Sequence, residues 1–136
     1  MYGQLAQFHG KAVCVKIFED NSLVKSYLAA SGHGQVLVVD GGASLRRALV
    51  GDQLASKAIQ NGWAGIIVYG CIRDAAIINT MEVAIKAMNT CPIKTEKRGI
   101  GDKDIPVHFA GVHINPGDWI YSDIDGIISS SIPLHL

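Results

Sequence analysis

Two unbroken apolar runs, QVLVV at 35–39 and AGIIVYG at 64–70, stand on either side of a segment with helical periodicity, and this constrains the fold more than any other feature. A strand apolar at every position, rather than every second one, is covered on both faces, which is the habit of strands inside parallel sheets. Around these runs the pattern repeats. Residues 11–18 (KAVCVKIF) put Val13, Val15 and Ile17 on one face at period two, which predicts a strand. In residues 19–34 (EDNSLVKSYLAASGHG), Asp20, Asn21 or Ser22 can cap a helix with a stripe of Leu23, Val24, Tyr27 and Leu28, stopping near Gly32 and Gly34. Residues 48–63 (ALVGDQLASKAIQNGW) predict a second helix, with Leu54, Ala55, Ala58 and Ile59 inward and Gly62 at its stop. CIRDAAIINTM then predicts a turn and short helix, and EVAIKAM a strand through Val83, Ile85 and Ala87. The order β-α-β-α-β favours right-handed crossovers and a parallel sheet with helices packed on it.

From residue 90 the texture changes. The stretch TCPIKTEKRGIGDKDIP carries seven charged residues between Lys94 and Asp104 and reads as an exposed loop. The tail from Val107 to Ser130 alternates in short pieces broken at Asn115–Asp118 and Asp123–Gly126, which predicts antiparallel hairpins. In this tail His108 and His113 sit between apolar neighbours and are expected to face solvent. No internal repeat or low-complexity segment occurs, so the expectation is one α/β domain ending in a β-meander.

Composition narrows the function. Twelve Lys plus Arg balance twelve Asp plus Glu, and no excess of cations gathers for phosphate, so direct nucleic-acid binding is not expected. The apolar runs are strand-sized and too short to span a bilayer, and residues 1–15 lack the features of a signal peptide, so the expected location is cytoplasmic. The three cysteines, Cys14, Cys71 and Cys91, are widely spaced without a CxxC pair, so reduced structural thiols are expected rather than a disulfide or zinc framework. At 14.5 kDa the folded surface should be about 6,900 Å², enough burial for a core that needs no staples.

Two places can hold chemistry. Gly51-Asp52-Gln53-Leu54 lies where a loop enters a helix, so free N–H groups and the positive end of the helix dipole make it an anion site, although an Asp there also serves as an ordinary cap. Arg73-Asp74 follows the second buried run, at the carboxyl end of a strand, where ligands gather in open α/β sheets. An adjacent cation and carboxylate could meet a substrate anion and a hard divalent ion, or form a plain surface pair. Asp40-Gly41-Gly42 has neither dinucleotide-loop nor P-loop spacing.

The segments VKIFEDNSLVK, VLVVDGGASLRRALVGDQLA, NGWAGIIVYGCIRD, KTEKRGIGDKDIPV and FAGVHINPGDWIYSDIDGII together resemble the RraA-like family, the regulators of ribonuclease E activity and their aldolase relatives. The resemblance implies a compact three-layer β/β/α domain similar to the swivelling phosphohistidine domain, assembled as a homotrimer with active sites between subunits. Aldolase-active members share an Asp, twenty residues and Arg-Asp, matched here by Asp52 and Arg73-Asp74. By that resemblance, Gly51, Asp52, Gln53 and Leu54 bind a pyruvate moiety and Arg73 contacts the substrate. Asp74 holds a divalent cation, Mg2+ or Mn2+. In the mechanism these residues suggest, Asp52 orients a metal-bound water that moves the proton. The implied activity is class II pyruvate aldolase, cleaving 4-hydroxy-4-methyl-2-oxoglutarate, with oxaloacetate decarboxylation through the same pyruvate enolate. The alternative implied role is a protein-binding inhibitor of ribonuclease E without catalysis; purely regulatory members tend to have lost the carboxylate matching Asp74, which this chain retains. Members also carry a helical segment before the strand matching 11–18, so residues 1–136 are expected to form a single domain lacking it.

Overall fold

In the computed structural model, residues 1–135 are described. The first strand, β1 (Phe8–Lys16), leads to α1 (Ser22–Leu28), β2 (Val36–Asp40), β3 (Ala48–Val50), α2 (Asp52–Gln60), β4 (Gly65–Ile72), α3 (Ala75–Ile78) and β5 (Ile85–Thr90). The short strands β6 (Asp102–Lys103), β7 (Val107–Phe109), β8 (Val112–Ile114), β9 (Trp119–Ser122) and β10 (Ile127–Ser130) follow. Strands β1, β2, β4, β3 and β5 pair in parallel, as the alternation of strand and helix requires. Pairings among and onto the later strands are antiparallel, including β9 on the first half of β1.

The continuous apolar runs become strands with a core on each face. On β2, Leu37 and Val39 point to one cluster with Val24 and Leu28 of α1, Ala55 and Ala58 of α2, and Ile66, Val68 and Ile72 of β4. Val36 and Val38 point the other way, to Phe8, Ala12, Cys14, Ile67, Val107, Ile114 and Ile120. Helices therefore cover one face and the hairpin strands the other, giving the three-layer β/β/α arrangement. Its surface of 7055 Å² matches the scaling for a chain of this size. Among the described residues, no helix is long and apolar enough to cross a membrane.

Several local expectations are corrected. Ala48–Val50 is a strand, not the first turn of a helix, because its three buried side chains complete the sheet beside β4. The helix starts only after Gly51, which holds an extended conformation. Ile59 is 42% exposed, since Ala55 and Ala58 define the inward face of α2 and Ile59 lies off it. Cys71 and Ile72 extend β4 rather than starting a turn, and β1 begins earlier, at Phe8. α1 ends at Leu28, short of the glycines. The charged stretch 94–104 is not a free loop: Thr95 is buried and the N–H groups of Arg98 and Ile100 donate to Asp20. Of the two expected hairpins, the one at Asp123–Gly126 joins β9 to β10, whereas Asn115–Asp118 carries the chain from β8 to β9, which do not pair because β9 adds to β1 instead; a hairpin not expected forms at Ala110–Gly111, joining β7 to β8.

Candidate active site

The strand order explains how residues 22 positions apart meet. β3 and β4 are parallel neighbours whose last paired residues are Val50 and Ile72, so Gly51 and Arg73 leave the sheet side by side. The Arg73 N–H extends the ladder by donating to the Val50 carbonyl at 2.9 Å. A parallel crossover needs a dozen or more residues, here supplied mostly by α2. Asp74 then adopts a left-handed conformation (φ 61°) before α3, which Asp tolerates better than most side chains. Its Oδ2 accepts a hydrogen bond from the Asp52 N–H at 3.1 Å, so the carboxylate rests on the start of α2.

Gly51 leaves room for this approach. A Cβ at that position would lie 2.9 Å from Asp74 Oδ2 and 3.1 Å from Arg73 Nε, closer than a side chain allows without displacing the pair. The first N–H to close a helical turn is that of Ala55, onto the Gly51 carbonyl at 3.0 Å. The Gln53 and Leu54 N–H groups therefore have no partner within the helix and, with the helix dipole, favour an anion.

Arg73 and Asp74 are not locked to each other. Arg73 Nε stands 4.0 Å from Asp74 Oδ2, with the two side chains 40% and 29% exposed, a geometry in which an ion pair contributes little. Both charges remain available to a ligand. As a metal donor set, Asp74 offers one hard carboxylate, and among the described residues no group of three His, Cys, Asp or Glu gathers anywhere. Such a set fits an ion that keeps most of its waters, such as Mg2+, rather than one caged by protein ligands. All six expected site residues, Gly51, Asp52, Gln53, Leu54, Arg73 and Asp74, lie on these two adjoining segments.

Positioning residues came from further away and carried no local signal. Asn21 donates from Nδ2 to the Leu49 carbonyl at 3.1 Å and accepts at Oδ1 from the Thr95 hydroxyl at 2.8 Å, bracing β3 just before Gly51. On the neighbouring loops, Glu19 accepts from Ser44 Oγ at 2.6 Å and Arg46 Nε at 2.7 Å, which holds its carboxyl below the usual range. The three cysteines are free and buried. Burial, with Asp118 and Asp104 nearby, pushes the Cys14 thiol up to about 12, and burial raises Cys71 as well.

A β/β/α domain with an open helix start beside an Arg-Asp pair defines a class that known relatives narrow. The RraA-like model, described as Aldolase/RraA, matches residues 1–129. A relative from Azotobacter vinelandii, named "Putative 4-hydroxy-4-methyl-2-oxoglutarate aldolase", is 53% identical over 99% of this chain and 83% of its own. A structure from Thermus thermophilis described as the RNA-processing inhibitor RraA superposes with a TM-score of 0.95 at 40% identity, over 98% of this chain and 81% of that one. Another, described as an S-adenosylmethionine:2-dimethylmenaquinone methyltransferase from Geobacillus kaustophilus, gives 0.95 at 44%, over 98% and 83%. The chain belongs to the RraA-like family. The three descriptions name different activities, so the choice among them has to rest on the site.

Proposed function

We propose that the protein is a divalent-metal-dependent lyase, a class II pyruvate aldolase that cleaves 4-hydroxy-4-methyl-2-oxoglutarate and also decarboxylates oxaloacetate. The observation that carries this reading is the seating of the Asp74 carboxylate on the Asp52 N–H, beside Arg73 and the free helix start. The Gln53 and Leu54 N–H groups and the Arg73 guanidinium bind the carboxylate of a 2-oxo acid. In aldol cleavage the C4 hydroxyl gives up its proton as the C3–C4 bond breaks; one pyruvate leaves and the other remains as an enolate that is protonated at C3. In decarboxylation the same bond breaks, CO₂ leaves, and the same enolate is protonated. Arg73 lies beside the developing negative charge, and Asp52 orients the water that carries the proton. Mg2+ or Mn2+ held by Asp74 supplies Lewis-acid stabilisation of that charge, on the order of several kcal/mol.

The test is pyruvate release from oxaloacetate with MgCl₂ or MnCl₂, measured against free metal. Turnover above that background, falling by about 10³-fold or more in Asp74→Ala, is the expected result. No metal-dependent turnover, or full activity in Asp74→Ala, contradicts it.

A homotrimer and a cytoplasmic location belong to the same proposal. Phe18 and Leu45, each more than half exposed on loops following β1 and β2, are the kind of apolar surface that association would cover; light scattering of the purified protein reads the mass. A second reading, an inhibitor that docks on ribonuclease E, is favoured by the likeness to the Thermus RraA structure. Inhibition of RNA cleavage without lyase turnover would support it instead.

A further inference from the structure

Away from the Gly51 and Arg73 segments, two imidazoles meet on the solvent side of the β7–β8 hairpin. Its two-residue turn, Ala110–Gly111, has positive φ at both positions (51° and 76°), as a type I′ turn requires. The flanking pair Phe109 and Val112 is then the hydrogen-bonded one. The next pair outward, His108 and His113, is non-hydrogen-bonded, the arrangement in which cross-strand side chains come closest. Val107, Phe109, Val112 and Ile114 turn toward the second core, which leaves both histidines facing solvent and exposed. Their ring centroids are 5.9 Å apart with planes inclined at 60°.

His113 is held as a ligand would be. Its Nε2 lies 3.0 Å from Asn115 Oδ1; in the tautomer whose Nε2–H donates to that carbonyl oxygen, Nδ1 keeps its lone pair for an ion. Histidines on metals show the same division, one nitrogen donating to an oxygen that fixes the ring and the other binding the ion. With metal–nitrogen bonds of about 2.0–2.1 Å an ion sits roughly 3.2 Å from each ring centroid, so two rings sharing it stand roughly 4.5–5.5 Å apart, a separation that small rotations of these exposed side chains reach from 5.9 Å.

We propose that His108 and His113 form a two-imidazole site for a divalent transition-metal ion of the nickel, copper or zinc class, with water completing its coordination. Imidazole suits these ions, whereas Mg2+ prefers oxygen donors, so this site and the carboxylate of Asp74 select different metals. An ion bridging the two strands fixes the hairpin that closes the second core through Val107 and Ile114, and by mass action it raises the melting temperature.

Calorimetric titration of the full chain with NiCl₂ in excess MgCl₂ tests this, alongside thermal melts with and without nickel. The expected result is one ion per chain, with affinity falling at least about tenfold in His108→Gln and in His113→Gln, and the nickel-dependent rise in Tm vanishing in both. His33→Gln is the control for an exposed histidine elsewhere and should leave binding unchanged. Circular dichroism of each variant checks that it folds. Unchanged affinity in either hairpin variant, equal weakening in His33→Gln, or loss of binding to competing Mg2+ overturns the proposal.

Discussion

Asp20 and Asp74 are the same side chain in nearly the same topological place, just past the end of a parallel strand and before a helix, yet they are treated in opposite ways. Asp20 is 1% exposed and accepts four hydrogen bonds, from the Ser22 N–H (2.9 Å) and hydroxyl (2.6 Å) and from the N–H groups of Arg98 (2.9 Å) and Ile100 (3.1 Å). Asp74 accepts one backbone hydrogen bond, has its side chain 29% exposed and stands 4.0 Å from a loosely held arginine. An ionised carboxylate can accept about four hydrogen bonds, so Asp20 is saturated and Asp74 has capacity left. A closed carboxylate ties the chain together, here clasping residues 98–100 to the start of α1. An open one can bind.

The difference can be broken from either side. The largest expected effect is the loss of turnover by about 10³-fold in Asp74→Ala, equivalent to roughly 4 kcal/mol of transition-state stabilisation, with stability within about 1 kcal/mol of the parent because only one backbone hydrogen bond is lost. Asp20→Ala should do the reverse. Leaving several N–H donors without their acceptor costs about 3 kcal/mol, read as a fall in urea midpoint and Tm, while metal-dependent turnover of the folded fraction stays near the parent value. Gly51→Ala falls between: its Cβ would press on Asp74 Oδ2 and Arg73 Nε, so activity should drop about tenfold or more with a stability loss near 1 kcal/mol.

A smaller effect is the pH dependence. Burial alone would raise the Asp20 pKa, but the hydroxyl of Ser22 and the N–H groups of Ile100, Ser22 and Arg98 outweigh it and hold the group well below the usual carboxylate range. A depressed folded pKa contributes stability that is complete above the unfolded value, about 3.9, and is lost as pH falls below it. Denaturation curves between pH 6 and pH 2.5 should therefore steepen their loss below about pH 4, and Asp20→Asn should flatten that acid limb.

How far this contrast could be read beforehand depended on the distance over which each site is assembled. Strands β2 and β4 were legible because a run apolar at every position has few other uses, and the β9–β10 hairpin because Asp-Ile-Asp-Gly announces its turn; Asn-Pro-Gly-Asp announced a turn but not that β8 and β9 go to different sheets. The Gly51 and Arg73 segments were legible as separate strand and helix ends, and only the resemblance joined them; their adjacency follows from β3 pairing with β4, which periodicity had hidden by running Ala48–Val50 into the helix. The role of Asp20 was hidden more deeply. Its partners Arg98 and Ile100 lie about eighty positions away in a charged stretch, and no local pattern separates a carboxylate clasped by distant backbone from one that caps the next helix.

Whether the open carboxylate binds while the closed one builds is decided by Mn2+ titration followed by electron paramagnetic resonance on the parent chain, Asp74→Ala and Asp20→Asn. One bound Mn2+ per chain is expected in the parent and in folded Asp20→Asn, with that binding lost in Asp74→Ala while its Tm stays within a few degrees of the parent, roughly the shift 1 kcal/mol produces. Parent-like Mn2+ binding by Asp74→Ala would contradict it.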